Sequence, residues 1–309
     1  MERVVLGLDI GGTHLRSGFV DEQYRLGHFN ICSSDSLQRK RPIQWLAEMI
    51  LSFIEKTGAN PLAVSAGFPS TLDKSRRRLL STPNLSGLNE LDMADALEEL
   101  LGLPVYLDRD VNLLFRYDRY VNRLAGDVLI GCYIGTGLGN VIAVNGEILI
   151  GHNGVAAELG HIPSYGIHDT CPCGNVGCVE LLASGKRLRT IGESRFPDCD
   201  ISEIFLQHGN DDALVDYIEC LAQPIATEIN LLDPDAVVLG GGVLQMAGFP
   251  KRRLEAAIAR HTRKPYPERN LRFLYSQEKQ ENGVIGAGIR AWEAISIKMG
   301  DGRNDCFGL

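Results

Sequence analysis

The chain has 309 residues, room for about two domains at roughly 150 residues each. A hydrophobic fraction of 44% with 23% charged residues excludes a disordered chain or a stapled miniprotein, and 34 glycines exceed the ~7% of ordinary domains, implying tight turns. The formal net charge of −8 repels a polyphosphate backbone and argues against nucleic acid and anionic lipid, leaving a small neutral or compact ligand.

The apolar run 4–8 ends in Asp9-Ile10-Gly11-Gly12-Thr13 and is followed by a second run at 17–20, which predicts strand, glycine turn, strand. Asp9 breaks the first run too early for a secretory core, and no stretch approaches the ~18 apolar residues of a membrane span, so a cytoplasmic protein without a membrane partner is expected. Ile43, Leu46, Met49, Ile50, Phe53 and Ile54 keep helical spacing, with Gly58 where a C-terminal cap belongs. The stretch 74–78 reads as solvated charge, and 105–107 as a short strand leading into Asp108-Arg109-Asp110.

The opening plan returns further on. Laying 5–21 over 129–145 puts Gly7 on Gly131, Ile10 on Ile134, Gly11 on Gly135 and Val20 on Val144, which points to two structurally related halves. Leu214, Ile218, Leu221, Ile225, Ile229 and Leu232 form a helix that Pro224 should kink and that Asp233-Pro234-Asp235 stops. A buried strand at 236–239 then leads through Gly240-Gly241-Gly242 to a helical pattern at Leu254, Ala257 and Ile258. Strands alternating with helices make the fold α/β. The expected halves are 1–118 plus 284–309, whose terminal helix returns to the first half, and a larger half 119–283.

Glycine turns at strand ends offer bare backbone N–H groups that can converge on phosphate oxygens, and Thr13 adds a hydroxyl. The second turn, Gly135-Thr136-Gly137-Leu138-Gly139, repeats that chemistry. Gly185-Lys186 is followed by Arg187, so there is no P-loop, and the second turn is not the dinucleotide G-x-G-x-x-G. A single such turn would read as a plain hairpin; two, with a triple glycine, favour a phosphate ligand. Asp9, at the end of a buried strand, needs a cation, which magnesium on ATP would supply.

Of eight cysteines, Cys171, Cys173 and Cys178 crowd onto a glycine-containing knuckle, and His161 lies ten residues upstream of it. Three thiols and an imidazole make a closed tetrahedral zinc set, structural because no position is left open. The other five cysteines are expected as buried thiols.

Together these motifs resemble the ROK family of sugar kinases and repressors. The resemblance rests on Asp9-x-Gly11-Gly12-Thr13, Asp110-Val111-Asn112, Gly135-Thr136-Gly137-x-Gly139, Glu158-Leu159-Gly160-His161, the cysteine knuckle with Glu180, and Gly240-Gly241-Gly242, and covers almost the whole chain. It implies a two-domain actin-like ATPase with ribonuclease H-like halves and a central cleft that closes on the sugar. It also implies phosphate-binding residues Asp9, Gly11, Gly12, Thr13, His14, Gly135, Thr136, Gly137, Gly139 and Asn140, with adenosine near Gly240, Gly241, Gly242, Asn282 and Gly283. The sugar would meet Asn84, Asp110, Glu158, His161 and Glu180, and a homodimer is expected. Zinc on one ring nitrogen of His161 would leave the other for a sugar hydroxyl. The chain departs from the glucokinase-like pattern at Arg109, where an Asn ordinarily precedes the catalytic Asp; a cationic fork there should reshape the donors around a hexose.

Phosphoryl transfer needs an in-line hydroxyl, charge neutralisation and a proton acceptor. The resemblance makes Asp110 that acceptor for the 6-hydroxyl of a hexose, with ATP and Mg2+ as cosubstrate. Taken alone, 108–110 reads as a solvated charge cluster, Asn84 as a turn residue, Glu158 as a cap and Glu180 as a helix opener, and only their fall on the family's sugar-contact positions reverses this. Two rivals remain: a DNA-binding regulator, which would need a helix-turn-helix ahead of Val4, and a catalytically silent sugar sensor.

Overall fold

A computed structural model of the chain describes residues 3–38, 41–83, 85, 87–277 and 279–298. It divides into two compact units, Met1–Ala125 with Ile150–Ala156 and Lys279–Leu309, and Gly126–Leu149 with Ala157–Glu278. The boundary expected near 118 falls inside a helix, and the division comes after Ala125, once that helix has ended. The short return of 150–156 to the first unit carries no signal in the sequence.

In the first unit, β1 (Val4–Ile10), β2 (His14–Asp21) and β3 (Leu26–Ser33) run antiparallel. After α1 (Pro42–Thr57) come β4 (Val64–Phe68), the small hairpin β5 (Thr71–Leu72) and β6 (Leu79–Ser81), α2 (Met93–Leu101), β7 (Val105–Arg109) and α3 (Asp110–Asn122). The sheet order is β3-β2-β1-β4-β7, with β1, β4 and β7 parallel. α1 stops where predicted: Gly58 takes φ 66 and its N–H bonds back to the carbonyls of Ile54 and Glu55. The core is aliphatic, built from Leu6, Leu8 and Ile10 of β1 against Leu46 and Ile50 of α1.

The second unit repeats the plan. β8 (Val128–Ile134), β9 (Leu138–Val144) and β10 (Glu147–Ile148) run antiparallel, and β8 pairs in parallel with β11 (Ala236–Gly240), which pairs with β12 (Phe273–Tyr275). The order β10-β9-β8-β11-β12 is that of the first sheet. Between the strands lie α4 (Gly185–Arg195), α5 (Ile204–His208), α6 (Asp212–Leu232) and α7 (Lys251–His261). α6 stays helical through Pro224 and ends at Asp233, whose φ of 47 breaks it.

The two hairpins differ by one residue. Ile10 pairs with Leu15 across the first turn, and Ile134 with Leu138 across the second. The alignment drawn from sequence therefore holds along β1 and β8 and slips by one along β2 and β9. The counterpart of buried Val20 is buried Ala143, and Val144 is exposed.

The last helix, α8 (Asn282–Lys298), belongs to the first unit and lies on β1, β2 and α3. Its glycines permit that approach: a Cβ on Gly286 would stand 2.0 Å from the carbonyl oxygen of Leu113. Among the cysteines expected to be buried, Cys132 is, but Cys32 on the edge strand β3, Cys199 and Cys220 are partly exposed; Cys306 lies outside the described residues.

Candidate functional site

In the first unit, β1 delivers Asp9 to the hairpin end, directly opposite Arg16 of β2. Arg16 Nη1 lies 3.4 Å from Asp9 Oδ2, so this chain supplies a cation of its own. Burial raises the Asp9 carboxyl above its ordinary range, and Arg16 offsets part of that. Thr13 and His14 are exposed and Gly11 and Gly12 half-buried, but the Gly11 N–H already donates to the His14 carbonyl at 2.8 Å. Asn282 is fully buried, and a Cβ on Gly283 would strike the Asp9 carboxylate at 2.6 Å. Gly283 therefore packs directly against the Asp9 carboxylate.

Asp110 opens α3 directly after β7, and its Oδ1 accepts the N–H of Val111 at 2.8 Å. Burial, reinforced by the Asp9 charge and partly offset by Arg109, pushes its carboxyl up to about 7, close to the ideal for a base at neutral pH. Arg109 Nη1 donates to the Ala156 carbonyl at 3.0 Å, so part of its fork is held by the 150–156 segment. Asp108 is buried. It accepts from the Arg109 N–H at 2.9 Å and from Asn112 Nδ2 at 2.7 Å, with Arg116 at 3.6 Å and Arg76 and Arg290 at 3.9 Å. Although burial alone would raise its carboxyl, these three guanidinium groups hold it below the ordinary range. The 108–110 segment is thus not a solvated cluster. Nor is all of 74–78 solvated, since Arg76 is 8% exposed and turned toward Asp108. Asn84 lies outside the described residues.

In the second unit, Thr136 is the exposed tip of the glycine turn, and the Gly135 N–H donates to the Gly137 carbonyl at 3.1 Å. The start of α4 braces this turn, with the N–H groups of Gly185 and Lys186 donating to the carbonyls of Gly135 and Thr136 at 2.9 and 3.2 Å. Ser184 caps that helix by accepting the Arg187 N–H. A helix N-terminus beside the turn favours an anion there, a feature that Ser184-Gly185-Lys186 signals in sequence only as a capping residue. Gly139 enters β9. Asn140 is buried, and its Nδ2 donates to the Gly131 carbonyl at 3.1 Å and to Glu228 Oε2 at 2.9 Å, so its amide serves the core and not a nucleotide. Gly240 and Gly241 are also buried, the latter with φ 96 against the backbone of Ile134; Gly242 is exposed.

Glu158, Gly160 and His161 follow one another through a short turn that meets Glu180. His161 Nε2 is 3.7 Å from Glu158 Oε2, and a Cβ on Gly160 would stand 3.3 Å from Glu180 Oε2. The other face of the imidazole looks onto the knuckle, with Nδ1 3.6 Å from Cys171 Sγ and Cys173 Sγ 3.6 Å from Cys178 Sγ. All four ligand atoms lie within 4.8 Å of one another, near the ~3.5–3.8 Å edges of a tetrahedron with ~2.1–2.3 Å bonds to zinc. Burial and the two neighbouring thiols push Cys178 up to about 12, a cost that a bound cation would remove. His161, Cys171, Cys173 and Cys178 therefore fit a zinc ion in donor type and spacing.

Two α/β units of one topology, each with a glycine hairpin at its sheet, define the fold class as that of the actin-like ATPases. The sequence matches the ROK family model over residues 5–293, and the chain belongs to that family. It is 25% identical to the N-acetylmannosamine kinase of Salmonella typhi, over 93% of this chain and 97% of that one. The ROK family glucokinase of Streptomyces griseus, solved with glucose and AMPPNP, superposes with a TM-score of 0.76 at 25% identity, covering 93% of this chain and 98% of that chain. A ROK family transcriptional regulator homologous to the E. coli MLC protein shares the fold, with a TM-score of 0.81 at 20% identity, over 97% of this chain and 81% of that one. No helix among the described residues is long and apolar enough to cross a membrane.

Proposed function

We propose that the protein is an ATP-dependent kinase that phosphorylates the 6-hydroxyl of an aldohexose. The observation that carries this reading is Asp110, a carboxylate at a strand end with its pKa pushed up to about 7, as a proton acceptor at neutral pH requires. Asp110 takes the proton of the attacking hydroxyl as that oxygen bonds to the γ-phosphorus and ADP leaves. The turn at 135–137, with the α4 N-terminus beside it, stabilises phosphate charge, and Glu158, His161 and Glu180 hold sugar hydroxyls. Mg2+ accompanies ATP and supplies charge neutralisation. The names of the kinase relatives support this reading.

Within the hexoses the proposed substrate is D-allose. Support comes from His14 after the Gly-Gly-Thr turn, from Thr82-Pro83-Asn84-Leu85, from Arg109-Asp110-Val111-Asn112-Leu113 and from the Cys-Gly-Asn-x-Gly-Cys knuckle, which resemble bacterial D-allose kinases; Arg109, standing where glucokinase-like chains carry Asn, argues against glucose without by itself identifying allose. We also propose a structural zinc at the knuckle, which fixes the ring of His161 so that Nε2 keeps its place beside Glu158. A homodimer is proposed on the resemblance alone. The purified protein with Mg-ATP should be assayed against D-allose, D-glucose, D-fructose, D-mannose and N-acetyl hexosamines. The highest kcat/KM is expected for D-allose; another preferred hexose refutes the narrow assignment, and no turnover with any sugar refutes the kinase. Metal analysis should find one zinc per chain, and its removal should weaken sugar affinity before it unfolds the second unit.

A further inference from the structure

Glycine in a phosphate turn is ordinarily explained by backbone freedom or by close approach of the anion. Gly137 needs neither conformational freedom nor a left-handed φ, because it has none. What it needs is space. A Cβ there would stand 2.3 Å from Glu180 Oε2 and 3.0 Å from Cδ, whereas a Cβ on Gly135, two residues earlier in the same turn, would meet nothing within 4 Å. Glu180 Oε2 rests in that niche and accepts the N–H of Leu138, the next residue of the turn, at 2.9 Å. Gly160 closes the other side, where a Cβ would come within 3.3 Å of the same oxygen. The carboxylate is thus seated on bare backbone by one of its oxygens. Oε1 takes no hydrogen bond among the described residues.

We infer that Gly137 is a positioning residue for the sugar: its missing side chain seats Glu180 so that Oε1 faces a hexose hydroxyl. This rests on the kinase reading proposed above, in which Glu180 contacts the sugar, and it gives the phosphate turn a second task. Oε2 is held by a backbone donor of the turn, so sugar affinity depends on a residue that sequence assigns to ATP. The far end of Glu180 is flexible, and an alanine at 137 is accommodated by moving that carboxylate, leaving the backbone and the fold in place.

The test compares Gly137→Ala, Gly135→Ala and Glu180→Ala with the wild-type full chain, measuring D-allose and D-glucose binding by calorimetry without nucleotide. The Leu138 amide resonance is followed as a sugar-independent report of the Glu180 contact. Gly137→Ala should weaken sugar binding by about tenfold or more, the scale of a charged hydrogen bond, raise sugar KM in step, and shift the Leu138 amide. Gly135→Ala should leave sugar affinity within about twofold. Gly137→Ala should add little in a Glu180→Ala background, because both remove one interaction. A wild type that binds sugar beside a Gly137→Ala variant of equal sugar affinity overturns the inference and leaves the kinase standing. An unmoved Leu138 amide in Gly137→Ala also overturns it. A wild type that binds and phosphorylates no hexose overturns both the kinase and the sugar role of Gly137.

Discussion

Each unit buries an acid behind its sheet, and the two acids are in opposite states. Asp108 of the first unit lies among Arg76, Arg116 and Arg290 and is held below the ordinary carboxylate range. Glu228 of the second unit, on α6, faces Asn140 and Cys132, and burial pushes its carboxyl up to about 7. The sheets share one strand order, so topology does not decide whether a buried carboxyl is charged; the neighbours that side chains bring do. A second parallel runs through the hairpins, where Gly283 makes room for Asp9 and Gly137 for Glu180. The first acid belongs to the strand itself, whereas Tyr133 occupies the matching position of β8 and the second unit borrows its acid from outside the sheet.

If the first unit holds the proton acceptor, Asp110→Asn gives the largest effect: kcat should fall by about 10²–10⁴ while thermal unfolding stays near that of the wild type. Normal turnover in that variant breaks the assignment. The next largest effect belongs to Asp108→Ala, which leaves three guanidinium groups around a missing charge and should destabilise the protein by about 3–5 kcal/mol in urea unfolding. A change near zero would mean that the arginines, unlike those of a buried ion network, are hydrated.

Glu228 should behave in the reverse sense. Its carboxyl rises from the ordinary 4.5 to about 7 on folding, so its stabilisation is complete below about 4.5 and lost as pH climbs through about 7. Glu228→Gln keeps an acceptor for Asn140 without a charge. The variant should therefore gain on the wild type between pH 5 and 8, by up to about 3 kcal/mol. Melting curves across that range check it, and parallel pH profiles would show that Glu228 stays ionised. The smallest effect separates the hairpins: Val20→Ala should destabilise by about 1.5–3 kcal/mol and Val144→Ala by less than about 0.5, because only the first is buried. Equal losses would restore the simple alignment of the two halves.

Much of the frame was legible in the sequence because it follows from local rules. Gly58 ends α1 as a cap should, and the alternation of apolar runs with glycine turns located both hairpins. The gathering of His161, Cys171, Cys173 and Cys178 was readable from spacing, since cysteines crowd for few other reasons. What escaped depends on contacts distant in sequence. Nothing near Arg76 marks it as different from the half-buried Arg77 and Arg78, because its partner Asp108 is brought in by β7. Asn140 looked like part of a phosphate turn, and only the α6 residue Glu228 shows that its amide is committed to the core. The return of 150–156 to the first unit depends on packing such as that of Gly154, where a Cβ would strike the Leu72 carbonyl at 2.4 Å.

The placement of α8 has a consequence for biogenesis. The helix supplies the first unit with Gly283 against Asp9, with Arg290 for Asp108 and with Trp292, whose indole N–H donates to the Val20 carbonyl at 3.1 Å. All of these are translated after the last strand of the second unit. On the ribosome the N-terminal sheet lacks these contacts until α8 has been made, so the first unit completes its packing only after every strand of the second unit has been synthesised.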